Sequence, residues 1–146
     1  MTLFHERSQR SLATSVNLAD TRRARRKGLL GRNSIGADEA MVITPCVAVH
    51  TAFMRFAIDV VFIDRDGRAV QIVQDLQPWR IAVSFRARAV VEMAAGRVKA
   101  CGVELGDRLC LTPDGDPSRG DANLARCGAT LNPSTALRAG GPRIAS

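Results

Sequence analysis

Two acidic side chains stand alone in apolar segments of the sequence, where a carboxylate is costly to place. Asp59 lies in AIDVVFID, and Glu92 lies in VVEMAAG. A buried carboxylate does not stay ionised without a partner, so each acid needs an opposite charge, a hydrogen-bond donor or a ligand. The structural alternative is that Asp59 lies at the start of a strand and accepts hydrogen bonds from backbone amides, and that Glu92 is a similar strand-end carboxylate.

Further polar residues accompany these acids. A histidine and a threonine open the apolar segment that contains Asp59, and arginines flank it. Polar groups that recur near strand ends, although they are expensive to bury, are typical of a small ligand pocket. We therefore expect a non-catalytic domain that binds an unknown small molecule and needs no cofactor. The predicted ligand-binding residues are Arg32, His50, Thr51, Met54, Asp59 and Glu92.

Two catalytic alternatives follow from the same residues. A carboxylate-based hydrolase would use Asp59 or Glu92 as general base, which requires raised pKa values and mutual proximity. Cys46 and His50, four residues apart, suggest a thiol-imidazole pair. That spacing covers about 13 Å in a strand, and only a helix would bring the two side chains together. We predict a strand here, so Cys46 is expected to be a small buried hydrophobe, and no catalytic residue is assigned.

The cysteines do not have the spacing of a metal site. Structural zinc sites use ligands that are paired at short spacing. No CxxC pair occurs, and the chain has only two histidines. We therefore predict no bound metal ion; the four cysteines are Cys46, Cys101, Cys110 and Cys127.

A basic cluster, RRARRKGLLGR at residues 22–32, carries much of the net charge of +7. Such a cluster attracts phosphates, which makes binding to nucleic acid or another polyanion the alternative function; the plainer interpretation is a solvated helix face. With five Phe, one Trp and no Tyr, the chain has few side chains on which bases could stack. The predicted nucleic-acid-binding residues are Arg22, Arg23, Arg25, Arg26 and Lys27.

The elements that must position these residues are mainly strands. The clearest is a hairpin in which AIDVVFID is apolar on both faces, RDG supplies the turn, and RAVQIVQDL returns. Other strands are predicted at residues 11–18, 41–43, 87–93 and 108–112, and between Thr44 and Met54. A short helix is predicted over TRRARRKGLLG, with Asp20 as a cap and Gly28 or Gly31 at its end. A stripe of small residues on this helix, including Ala24, allows close approach to a sheet.

The length of 146 residues corresponds to one domain. We expect a flexible N-terminus at residues 1–10, a compact β domain at 11–112, and a disordered basic tail at 113–146, where Gly, Pro, Ser and Arg dominate. No apolar run approaches the roughly 18 residues of a membrane span, and the N-terminus has no leader pattern. These features predict a cytoplasmic protein that is a monomer or a weak dimer.

Five sequence blocks together resemble a known family. They are KGLLGR at 27–32, AM at 40–41, HTAFMRFAIDVVFIDRDGRAV at 50–70, VVEMAAG at 90–96 and GVELGDRL at 102–109. In order and spacing they are similar to the prokaryotic family called domain of unknown function 192. The resemblance implies a mainly β (α+β) domain, a sandwich or barrel of jelly-roll character with one or two short helices at its side. The family has no established activity, so the resemblance supplies positions rather than a reaction: Gly28, Arg32, Met41, Met54, Asp59, Glu92, Gly96, Gly106 and Asp107.

Overall fold

The computed structural model describes residues 1–113. Within that range the chain forms short strands and two short helices. The strands are β1 Thr2–His5, β2 Arg10–Ala13, β3 Ser15–Ala19, β4 Glu39–Ile43, β5 Ala48–His50, β6 Ile58–Ile63, β7 Ala69–Leu76, β8 Ile81–Val83, β9 Ala89–Ala94 and β10 Leu109–Thr112. The helices are α1 Arg22–Lys27 and α2 Arg97–Cys101.

A five-stranded sheet in the order β3-β4-β9-β6-β7 forms the centre of the domain. The β3-β4 pair is parallel and the other neighbours are antiparallel. All six residues of β6 are buried, as expected of a strand that is apolar on both faces. The predicted hairpin is confirmed as β6-β7. Its turn requires Gly67, because φ is +78° there and a Cβ atom would lie 2.8 Å from the carbonyl oxygen of Leu109.

A three-stranded sheet in the order β10-β1-β2 contains the N-terminus. The expectation that residues 1–10 are flexible is corrected, because β1 pairs with β10 on one side and with β2 on the other. Leu3 and His5 point inward and are fully buried. His5 Nε2 lies 2.8 Å from Asp107 Oδ2, and Arg7 Nε donates to Asp107 Oδ1 at 2.8 Å. These contacts tie the N-terminal segment to the loop before β10.

The central sheet has a different hydrophobic core on each face. One core joins the sheet to the three-stranded sheet and α2, through residues such as Leu12 and Val98. The other joins it to the segment after α1 and to a two-stranded sheet made of β5 and β8, through Leu29, Val49 and Ala82. The prediction of a compact, mainly β domain with short helices at its side is confirmed.

The N-cap of α1 lies one residue later in the sequence than predicted. Thr21, not Asp20, is the N-cap, and its side chain accepts a hydrogen bond from the amide of Ala24 at 3.1 Å. Gly28 ends the helix, as predicted, and a Cβ atom there would lie 4.0 Å from Ile43 Cδ1. The glycine thus lies beside the last residue of β4.

Membrane-spanning segments and the C-terminal tail were both considered from the sequence. None of the helices in residues 1–113 is long and apolar enough to cross a membrane. The predicted disordered tail at 113–146 lies outside the described residues, except for Pro113.

Candidate functional site

A cavity of about 460 Å³ opens between α1, the segment from the end of β4 through β5, and the central sheet. Its wall combines basic residues of α1 with apolar side chains, a thiol, an imidazole and one carboxylate. The lining residues are Arg22, Arg25, Arg26, Lys27, Gly28, Leu29, Leu30, Ile43, Pro45, Cys46, Val47, Ala48, Val49, His50, Met54 and Glu92.

Among residues 1–113, Glu92 is the only acidic residue that lines this cavity. It lies on β9 between Met41 of β4 and Val60 of β6, so two strands flank it within the sheet. The side chain is 5% exposed, and its Oε2 atom is buried without a hydrogen-bond partner. Burial raises the pKa of Glu92 from 4.5 to about 7. An acid in this state takes up or releases a proton near neutral pH and has an oxygen available for a ligand.

Basic side chains from α1 line the same cavity as this acid. Four of the five predicted nucleic-acid-binding residues line it, and Arg23 does not. Arg25 is half-buried, and its guanidinium donates to the carbonyl oxygen of Thr44 at 3.4 Å. Within residues 1–113 the other three lining cations make no ion pair, and all three are exposed; they are Arg22, Arg26 and Lys27.

Cys46 and His50 both line the cavity but do not form a catalytic pair. The Cys46 thiol donates to the carbonyl oxygen of Ala48 at 3.0 Å. Its pKa is raised, mainly by burial and further by the charge of Glu92, which disfavours the thiolate. His50 is exposed on β5, and no hydrogen bond within the described part of the chain joins it to Cys46 or Glu92. This arrangement agrees with the strand predicted for the segment.

Asp59 lies outside the cavity lining, and the backbone occupies both of its oxygens. Oδ1 accepts from the amide of Asp75 at 2.9 Å, and Oδ2 accepts from the amide of Val98 at 2.9 Å. The second bond satisfies an amide in the first turn of α2, whose N-cap, Gly96, has no side chain to do so. This is the structural alternative considered for Asp59.

Arg32 and Thr51 also lie outside the lining and have partners of their own. Arg32 makes a two-point contact with Glu39, with the second nitrogen donating at 2.7 Å, which raises the pKa of Arg32 and lowers that of Glu39. The fully buried Thr51 hydroxyl donates to the carbonyl of Gln77 at 2.7 Å and accepts from the amide of Arg80 at 2.8 Å. Thr51 therefore fixes the segment before β8.

Of the six predicted ligand-binding residues, the fold brings three to the cavity: His50, Met54 and Glu92. Sequence reasoning did not assign its apolar wall, which includes Leu29 and Ile43. The available signal was the small-residue stripe on α1, which predicts that this helix lies close to a sheet. No group of three or more His, Cys, Asp or Glu side chains in residues 1–113 is arranged to hold a metal ion.

Comparisons with known proteins agree with this architecture. The sequence model of the family called domain of unknown function 192, which is described as Uncharacterized ACR, matches residues 4–111. A UPF0127 protein of Pyrococcus furiosus is 44% identical over 63 residues, which are 42% of this chain and 53% of the relative. A second UPF0127 protein, of Pyrococcus horikoshii, is 36% identical over 63 residues, 42% of this chain and 54% of its own. The chain thus spans about half the length of the curated relatives it matches.

Two solved structures are similar in fold. One is a protein of Sinorhizobium meliloti 1021 for which transcription regulation has been suggested; it is 32% identical with a TM-score of 0.60, over 64% of this chain and 78% of that one. The other is a protein of unknown function from Novosphingobium aromaticivorans, 20% identical with a TM-score of 0.68, over 76% of this chain and 84% of that one. The second likeness concerns the fold alone.

Proposed function

This chain belongs to the family called domain of unknown function 192. We propose that it is a non-catalytic binding domain, which holds a small molecule in the cavity between α1 and the central sheet. The observation that carries this proposal is the buried, unpartnered Oε2 atom of Glu92 in the cavity wall. The proposal keeps the cytoplasmic location and the monomer or weak dimer that the sequence predicts.

The Glu92 Oε2 atom is costly to bury without a hydrogen-bond partner. A buried polar group that lacks a hydrogen bond costs about 1–3 kcal/mol. A ligand that donates a hydrogen bond to Glu92 would recover this cost. The cavity of about 460 Å³ is also within the range of roughly 300–1,000 Å³ that is usual for small-molecule sites.

Within residues 1–113, the side chains that line the cavity form no nucleophile-base pair, which supports the choice of binding over catalysis. Nucleophilic catalysis needs a nucleophile within hydrogen-bond reach of its base. The Cys46 thiol instead donates to a backbone carbonyl, and its raised pKa disfavours the reactive thiolate. A hydrolase that uses two carboxylates has no support either, because Asp59 lies on the other face of the sheet from Glu92 and is bonded to amides.

A thermal-shift screen of small organic molecules, run in parallel on three proteins, tests the proposal. The proteins are the wild type, Glu92→Gln, and Asp59→Asn, which changes a buried carboxylate on the opposite face. A compound at about 100 times its dissociation constant should stabilise the wild type by about 2.7 kcal/mol. We expect hits that stabilise the wild type and Asp59→Asn but lose most of their effect on Glu92→Gln. If the hits act equally on all three folded proteins, the cavity is not the site.

Nucleic-acid binding is the second candidate, favoured by the exposed cations of α1 and by the role suggested for the Sinorhizobium meliloti relative. If phosphate contacts of α1 bind DNA, affinity should fall steeply with salt, by about one logarithmic unit of slope per contact. Reversing the charge of Arg23, which lies outside the cavity lining, should weaken DNA binding and leave small-molecule hits unchanged. Binding that is insensitive to salt and to this reversal would exclude the second candidate.

A further inference from the structure

Resting on the proposed function, we propose that the ligand class is a small organic anion that also carries an amine. Its anionic group lies against the cations of α1, and its amine donates a hydrogen bond to Glu92. The cations of the lining indicate the anionic group, the single carboxylate indicates the amine, and the apolar wall indicates the chain that joins them.

The anionic group follows from the charge of the lining. Four cationic side chains of α1 and one carboxylate border the cavity, and no carboxylate of residues 1–113 pairs with Arg22, Arg26 or Lys27. A carboxylate or phosphate that enters between them gains several attractive contacts in a partly enclosed site, where they are stronger than in open water. A cationic group is repelled by these basic side chains, and a neutral group gains only ordinary hydrogen bonds from them.

The amine follows from the state of Glu92. Its Oε2 atom has no donor, and a carboxyl group accepts hydrogen bonds in both of its protonation states. The nearby Cys46 thiol already donates to the carbonyl oxygen of Ala48. In its ionised form Glu92 only accepts hydrogen bonds, so the partner that Oε2 lacks in that form is a donor, and a protonated amine also neutralises the charge of the acid.

Much of the remaining lining of the cavity is apolar. Leu29 and Met54 are buried, and they line the cavity together with the side chains of Ile43 and Val49. These residues offer no hydrogen bonds from their side chains, so the part of the ligand that crosses them is an alkyl or similarly apolar chain.

Isothermal titration calorimetry with matched probes tests the assignment on the full chain. The probes are 4-aminobutanoate, 6-aminohexanoate and 8-aminooctanoate, compared with hexanoate, which lacks the amine, and hexylamine, which lacks the anion. We expect at least one amino acid to bind about tenfold or more tightly than either single-group probe, since a hydrogen bond to a charged group contributes about that factor. Equal affinity for hexanoate overturns the amine, equal affinity for hexylamine overturns the anion, and no binding of any probe overturns the class.

Variants assign each half of the ligand to its side chains. Glu92→Gln should remove the roughly tenfold advantage of the amino acid over hexanoate. Lys27→Ala and Arg26→Ala should weaken both anions. Arg23→Ala is the matched control from the same helix, and it should change neither. If Arg23→Ala weakens binding as much as Lys27→Ala, the attraction comes from the overall charge and not from the cavity.

The pH dependence gives an independent readout. The ionised form of Glu92 binds the amine, so affinity for the amino acid should rise by up to about tenfold from pH 6 to pH 8. The other charged or titratable groups of the lining are Cys46, His50, Arg22, Arg25, Arg26 and Lys27. The rise should persist in His50→Gln and vanish in Glu92→Gln, and the opposite pattern overturns the assignment to Glu92.

This result and the result for the proposed function are distinguishable. If the thermal-shift screen gives hits that require Glu92 but the amino-acid probes do not bind, the cavity binds a ligand of another class and only this inference fails. If no compound depends on Glu92, the proposed function fails as well.

Discussion

Replacing Glu92 by Gln should change how the stability of the domain depends on pH. The pKa of this carboxyl group is raised from 4.5 to about 7 because burial disfavours the charged form. The folded protein therefore holds a proton that the unfolded chain has already released between these two values. The contribution of this proton to the stability of the fold is fully present below pH 4.5 and is lost as pH rises through about 7.

The size of this loss follows from the two pKa values. At about 1.4 kcal/mol per pKa unit, the step from 4.5 to about 7 corresponds to about 3 kcal/mol, and most of this loss falls between pH 5 and pH 8. The amide of Glu92→Gln does not titrate, so the variant lacks this component. Relative to the wild type, the variant should thus gain about 2–3 kcal/mol in free energy of unfolding between pH 5 and pH 8.

Urea denaturation at pH 5, 6, 7 and 8 measures the difference, with the wild type and Glu92→Gln studied side by side. Glu104→Gln is the control, because the Glu104 side chain is 75% exposed and its removal should leave the wild-type pH dependence almost unchanged. If the stability curves of the wild type and Glu92→Gln run parallel from pH 5 to pH 8, the carboxyl group is not held in its neutral form, and the reasoning is refuted.

Three further substitutions test how the frame around the cavity is held. Asp59→Asn should cost about 1–3 kcal/mol in urea denaturation, because an amide group cannot accept both backbone hydrogen bonds; an unchanged midpoint would contradict this role. Asp107→Asn should cost roughly 2–3 kcal/mol at pH 7 and less in acid, since its partners hold the pKa of Asp107 well below the usual range and its stabilisation is lost as pH falls; an equal cost at pH 3 and pH 7 would refute it. Gly67→Ala should lower the melting temperature more than Gly31→Ala, because both have positive φ but only the first places a Cβ atom 2.8 Å from the Leu109 carbonyl oxygen; equal shifts would show that the close approach is unimportant.

The elements that could be predicted from the sequence are those whose patterns match their surroundings. The β6 sequence is apolar on both faces, and the strand is indeed covered on both faces. The chain RRARRK, which is capped by Thr21 and ended by Gly28, forms a helix as its local signals indicate. In both places the local preference and the tertiary packing favour the same structure, so a single sequence is sufficient.

The strands that could not be predicted have sequences whose hydrophobic pattern does not match which residues are buried. In β8 the large residues Ile81 and Val83 are 75% and 39% exposed, whereas the small Ala82 is buried. In β1 the polar residue His5 points inward, where it is fully buried and contacts Asp107. These strands are short and are paired with segments distant in sequence or across a loop, so their existence depends on contacts that no local pattern contains.

The two isolated acids show why the composition of a site depends on strand register. Asp59 is directly opposite Met93 in the β6-β9 pair, and Val60 is opposite Glu92. Because directly paired residues lie on one face and successive residues alternate, Asp59 and Glu92 lie on opposite faces of the same sheet. A shift of one residue in this pairing would have placed both acids on one face. The sequence specifies that each acid needs a partner. The register gives Asp59 two backbone amides and leaves Glu92 facing a cavity, and only an acid without a protein partner has an oxygen available to a ligand.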